Sequence, residues 1–186
     1  MPGARWRVMS WEELLIRWTA RLAVGCYLAR IAVDAAWPLS ARRLVLGRWV
    51  WTVGCVIFLA HVYSVFQFLH GWSHAAAWEH TRAVTFATTG WNSGSGLYLN
   101  YLLTLWWVGD VAAWWYRRDW PLARWPFWSL HGFFAFMMFH STVTFGPGGW
   151  KYVAAAALPG LGTLWLRRRW QQAHATTTDQ DVNPRV

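Results

Sequence analysis

The sequence predicts an all-α integral membrane protein, a polytopic bundle with four or five transmembrane helices. Three observations lead there. The chain of 186 residues is 56% hydrophobic and only 13% charged, against about 25% charged residues in ordinary soluble domains. Its apolar runs approach the roughly 20 residues that a bilayer-crossing helix needs. Its arginines gather in short clusters between those runs: Arg42, Arg43 and Arg48, then Arg117, Arg118 and Arg124, then Arg167, Arg168 and Arg169. A formal charge of +9 distributed this way is the punctuation of membrane topology rather than the single solvated face of a nucleic-acid reader. No nucleic acid is expected as a partner. No internal repeat divides the chain, so residues 1–170 are expected to form one transmembrane helical domain and residues 171–186 a disordered polar tail carrying TTTDQDVN and His174.

The first segment, residues 14–37, has two readings. Wound as a helix, Glu13, Arg17 and Arg21 share one side, while Leu14, Trp18, Leu22, Gly25, Ala29 and Ala32 share the other. It is either a spanning helix whose arginines snorkel and whose Arg30 and Asp34 pair, or an amphipathic helix lying in the interface. Residues 49–69 read as a spanning helix, because His61 and Gln67 are their only strongly polar side chains and a helix of that length covers about 30 Å. Residues 97–116 read as a second, interrupted by Asn100 and Asp110 and closed by Arg117 and Arg118. Residues 127–145, with His131 and His140, read as a third. Residues 152–166 contain Pro159, Gly160 and Gly162 and are expected to span as a kinked helix covered by its neighbours.

Loop charges orient the bundle. The loops 38–48 and 117–126 and the tail after 166 are arginine-rich, whereas the loop 70–96 holds only Arg82 and the turn near Gly146 only Lys151. The rich loops therefore belong to the cytoplasm, and the expected location is the bacterial cytoplasmic membrane, crossed several times. A spanning first segment would leave Arg5 and Arg7 outside, which favours the interfacial reading. Glu12 and Glu13 interrupt the basic start, so no cleavable signal is expected. Cys26 and Cys55 lie inside apolar segments and are expected to be small buried residues.

The stretch HGWSHAAAWEH, residues 70–80, raises the question of chemistry. His70 and His74 are four apart and on one continuing helix would share a face, the spacing of two metal ligands. His80 folding back would supply a third ligand, and His140, about 7 Å below the same interface by helix rise, a fourth. A transition metal is one candidate cofactor. Haem is the other, held by His61 or His70 facing His140 across the bundle. The plainer reading is an aromatic belt, with Trp72, Trp78 and the histidines at the wet end of a membrane helix. His61 lies near mid-helix, where a polar group needs a neighbouring hydroxyl or carbonyl. Asp110 and His131 both fall within roughly 6 to 9 Å of the cytoplasmic face, so they can meet as an intramembrane polar pair, relaying protons or simply joining two helices. Arg30 joins them if the first segment spans.

Two enzyme patterns are matched in part. In GWNSGSGLYLNY, residues 90–101, Ser95 followed by Gly96, with His131 or His140 on another helix, resembles the serine site of rhomboid-type intramembrane proteases. Ser93 stands where that pattern wants glycine, and a tight turn with a close helix contact accounts for the glycines. The His70 and His74 box resembles those of membrane di-iron desaturases, but it occurs once, without an adjacent histidine pair, on the outer side. WSHAAA (72–77), GSGLYLNY (94–101) and WWVGDVAAWW (106–115) together resemble a family of small bacterial polytopic integral membrane proteins of no known activity, over about the central third of the chain. The resemblance implies a class and no mechanism. The function expected is a non-enzymatic membrane module or a subunit of a larger membrane complex, with the lipid bilayer and other membrane subunits as partners. A haem- or metal-binding membrane redox protein is the alternative.

Overall fold

Ser10 and Ser40 each start a helix. The Ser10 hydroxyl accepts from the Glu13 amide at 3.3 Å and the Ser40 hydroxyl from the Arg43 amide at 3.3 Å, each satisfying a donor that the first helical turn leaves orphaned. The structure, a computed structural model, describes residues 10–38, 40–117 and 124–140, with Tyr152 and Thr163, and of residues 124–128 the backbone alone. The expectations for residues 152–166 and for the tail 171–186 lie outside the described residues, those two positions aside.

All the regular structure described is helical. Helix α1 is Trp11–Ala36, α2 Ala41–Val65, α3 His74–Thr89, α4 Gly96–Tyr116 and α5 Arg124–Phe139. Helix α1 ends ahead of Pro38, whose ring disfavours helical geometry in the residue before it. Helix α2 passes into one π-helical turn, Phe66–His70, and stops where Gly71 and Trp72 take positive φ of 53° and 60°. The continuous run Ala41–His70 is 30 residues long and is the one helix among the described residues that is long and apolar enough to cross a membrane.

The reading of residues 70–96 as a loop is corrected. Most of it is α3, 16 residues opened by Ser73, whose hydroxyl accepts from the Ala76 amide at 3.2 Å, and closed by Gly90 at φ 76°. That glycine occupies the left-handed position where an L side chain is strained.

Helices α1 and α2 form an antiparallel pair. Along it, His61 meets Ile16 and Thr19, Gly54 meets Cys26, Gly47 meets Arg30, and Arg43 meets Asp34, so the partner numbers rise on one helix as they fall on the other. The side of α1 turned inward carries Thr19, Ala23, Tyr27, Arg30 and Val33. The stripe of Leu14, Trp18 and Leu22 faces outward, with Trp18 54% exposed. The inward side thus mixes small, polar and aromatic residues, while a stripe of large apolar ones lies outside. The segment is one continuous helix packed along α2.

Aromatic rings fill the centre where α1, α2, α4 and α5 meet. Trp51 stands 4.8 Å from Trp107 and 5.0 Å from Phe134, and Tyr27 lies 5.5 Å from Phe134, ring centre to ring centre. Trp51, Trp107 and Phe134 are fully buried. Tilted and stacked ring pairs at these separations add about 0.5–1.5 kcal/mol each beyond area burial.

Candidate functional site

The break after α2 decides what the histidine-rich stretch can do. Because Gly71 and Trp72 leave helical geometry, His70 ends one helix and His74 begins the next. The four-residue spacing therefore does not place them on one face. His74 turns to α4 instead, with Nδ1 3.1 Å from the Tyr101 hydroxyl and its ring beside those of Tyr98 and Tyr101. His70 meets His80, reached by nearly two turns of α3, and their rings lie 5.3 Å apart at 63°.

His70 is buried against this partner, with Phe66 on its other side at 5.7 Å. Two imidazoles bound to one tetrahedral ion at about 2.1 Å have ring centres about 5 Å apart, so the spacing of this pair suits a shared ion. His140 packs edge-on against Phe136 at 4.9 Å. The four-ligand set of His70, His74, His80 and His140 is not assembled, and no group of three or more His, Cys, Asp or Glu side chains among the described residues is arranged to hold a metal. The pair His70 and His80 is the part of the expected set that the fold brings together.

His80 and His140 do share a cavity of about 650 Å³ between α3, the turn before α4, α4 itself and α5. Val84, Leu99, Phe136 and Met137 supply its apolar wall, and Thr85, Ser95 and Asn100 its polar groups. Among the described residues, no Asp, Glu, Lys or Arg lines it. Its size is that of a small-molecule site, and its chemistry is that of an uncharged guest with both apolar and hydrogen-bonding parts. Ser95 belongs to this wall, and its Oγ takes a hydrogen bond from Ser93 Oγ at 2.9 Å. His131, the other histidine considered for a serine site, lies away from the cavity against Tyr27 and Trp51. Gly94 lets the turn close, since a Cβ there would stand 2.6 Å from the Trp78 indole. Thr81, Thr85 and Trp91, which also line the cavity, escaped the sequence reading with α3. The signal for them was the Ser73 and Gly90 pair of caps.

His61, the mid-helix histidine, is satisfied across the α1–α2 pair. Its Nδ1 lies 3.0 Å from the Ile16 carbonyl and 3.3 Å from the Thr19 hydroxyl. A carbonyl only accepts, so Nδ1 carries the proton and donates, leaving Nε2 as the atom with ligand chemistry. This hydroxyl and carbonyl are the kind of partners a mid-helix imidazole requires.

Asp110 and His131 each contact Trp51. The Trp51 indole N–H donates to Asp110 Oδ2 at 2.8 Å, and its ring stands 5.8 Å from that of His131. Tyr27 donates its hydroxyl to the His131 carbonyl at 3.2 Å. Toward the same end, Arg30 is 4% exposed and ion-paired with Asp34, which also accepts from Arg43 Nη2 at 2.8 Å. The Arg30 guanidinium lies 4.8 Å over the Trp114 ring. One carboxylate between two guanidinium groups, with an indole face beneath, holds a cation inside the bundle at much reduced cost.

No protein-family model, curated protein or solved structure matches the chain significantly.

Proposed function

We propose that this chain is a multi-pass integral membrane protein of the bacterial cytoplasmic membrane, acting as a non-enzymatic module or subunit of a larger membrane complex. One observation carries the reading: in the apolar helix Ala41–His70 only 22% of the most hydrophobic window is buried by the rest of the chain. The core helix of a water-soluble domain is covered by its own fold; a helix this long, apolar and uncovered has lipid as its natural solvent. The outward stripe of α1 and the exposed Leu102 and Leu105 of α4 extend the same apolar exterior. Inward-facing small and polar residues on α1 match the way helices associate in lipid. Helix α4, 21 residues with Asp110 as its one charged side chain, is the second span of this reading, and α1 and α5 the others. The exposed indoles offer packing surface to neighbouring subunits. The resemblance to small bacterial polytopic membrane proteins agrees with this class.

Alkaline carbonate extraction of membranes from expressing cells tests it. The protein is expected to stay in the membrane pellet and to need detergent for release. Recovery in the carbonate supernatant overturns the reading.

The His70 and His80 pair favours a second reading, in which the module holds a transition metal at its outer end. Metal analysis of the purified protein, with and without that pair, decides it.

A further inference from the structure

Arg48 differs from the other arginines of the α1–α2 pair. Arg30 and Arg43 share Asp34, whereas among the described residues Arg48 has no carboxylate partner. Its Nε is shielded from solvent and meets no acceptor there. A donor desolvated without an acceptor is costly, and a charged one more so.

The guanidinium is nevertheless held in place. Its Cζ lies 4.3 Å over the Trp115 ring. Trp115 is fixed in turn, since its indole N–H donates to Thr52 Oγ1 at 3.1 Å and Thr52 donates to the Arg48 carbonyl at 2.8 Å. Trp49 braces the same ring edge-on at 5.2 Å. Both indoles are substantially exposed, Trp49 at 52% and Trp115 at 43%. Arg48 stands seven residues into α2, about 10 Å along the helix, at the arginine-rich end of the bundle and at the depth where a side chain reaches lipid headgroups.

A flat, pre-oriented guanidinium asks for an oxyanion with two acceptor oxygens. Exposed indoles on either side ask for a guest whose anion is joined to apolar chains. We propose that Arg48, stacked on Trp115 and flanked by Trp49, binds the phosphodiester of an anionic phospholipid in the cytoplasmic leaflet. This rests on the membrane reading above. The site selects charge at one end and acyl chain at the other.

Native mass spectrometry of detergent-purified protein tests the site, using phosphatidylglycerol and phosphatidylcholine as probes. Wild-type protein is expected to retain phosphatidylglycerol over phosphatidylcholine. Arg48→Gln should lower that retention about tenfold or more, the worth of one charge-assisted contact, while Arg42→Gln leaves it unchanged. Equal retention by Arg48→Gln in protein that still fractionates with the membrane overturns the site and leaves the membrane reading standing. Release of wild-type protein by carbonate is the separate failure of that reading. Millimolar inorganic phosphate that displaces phosphatidylglycerol marks a free-anion site and also overturns the proposal. If Arg48→Gln does not fold, the wild-type preference between the two lipids decides, and its absence counts against the site.

Discussion

The Trp51 indole N–H reaches across from α2 to donate to the Asp110 carboxylate on α4 at 2.8 Å. Trp51 is 2% exposed and also touches Trp107, Phe134 and His131, so one side chain joins the polar group of α4 to the aromatic centre. Hydrogen bonds to charged groups contribute about 1.5–3 kcal/mol. Trp51→Phe should therefore lower thermal stability in detergent by at least that much. A double-mutant cycle with Asp110→Ala should give a coupling energy of about 0.5–3 kcal/mol. Strict additivity would mean the bond contributes nothing.

Asp34 is the single carboxylate of the Arg30–Arg43 cluster. Removing one partner from a buried ion pair costs about 3–5 kcal/mol, because the other charge is left uncompensated. Asp34→Ala should be strongly destabilising by thermal melting. Arg43→Ala should cost less, since Asp34 keeps Arg30. The reverse order would place the cation's compensation elsewhere.

Two glycines on the α1–α2 pair make a controlled comparison. A Cβ on Gly54 would stand 2.9 Å from Cys26 Cβ and 3.0 Å from Trp107, whereas one on Gly25 meets nothing within 4 Å. Gly54→Ala should cost about 1–3 kcal/mol by forcing the helices apart. Gly25→Ala should be neutral or stabilising by up to about 1 kcal/mol through helix propensity. Equal melting temperatures for the two variants would mean that α1 does not pack on α2 at Gly54.

How legible these features were depends on where their causes lie. The apolar run 49–69 is visible because its signal is local: 21 side chains with His61 and Gln67 as the only strongly polar ones. Helix α3 is not, because HAAAWEHTRAVTFATT mixes alanine, threonine and charge in a segment of low hydropathy, and its clearest signals were the Ser73 and Gly90 caps. The spacing of His70 and His74 misled for a related reason. It assumes an unbroken helix, and the positive φ at Gly71 and Trp72 removes that assumption. The pairing of Arg30 with Asp34 was legible from their four-residue spacing, whereas the second partner of Asp34, Arg43, sits on the next helix and comes close only once α1 and α2 pack. The neighbours of His61 were foreseeable in kind and not in identity, since Ile16 and Thr19 come close only once α1 folds back.

Contacts between α2 and α4 fix which helix ends lie together. Arg48 near the start of α2 stacks on Trp115 near the end of α4, so Arg42 and Arg117 lie at one end, with Trp91 at the other beside the start of α4. On the proposed topology, cysteines placed at 42 and 117 should react with an impermeant maleimide only after permeabilisation, and one at 91 in intact cells. Arg167, outside the described residues, should label with the cytoplasmic pair. Labelling of 117 from outside with 42 protected would rule out the proposed arrangement of spans.

The histidine pair makes the last test. If the outer end of the bundle holds a transition metal, His70 and His80 are its ligands from this chain, because their rings are the ones brought to 5.3 Å. His74 is held by Tyr101. Purified protein should then contain sub-stoichiometric to stoichiometric metal, and His70→Ala with His80→Ala should remove it while the chain stays in the membrane. His74→Ala should retain it, the opposite of what an HxxxH box demands. Metal ligation needs neutral imidazole, so protons compete for the same nitrogens and occupancy should fall as the pH is lowered. Metal retained by the double variant, or metal lost from His74→Ala alone, would remove this pair from the chemistry and leave it as the packed outer end of α2 against α3.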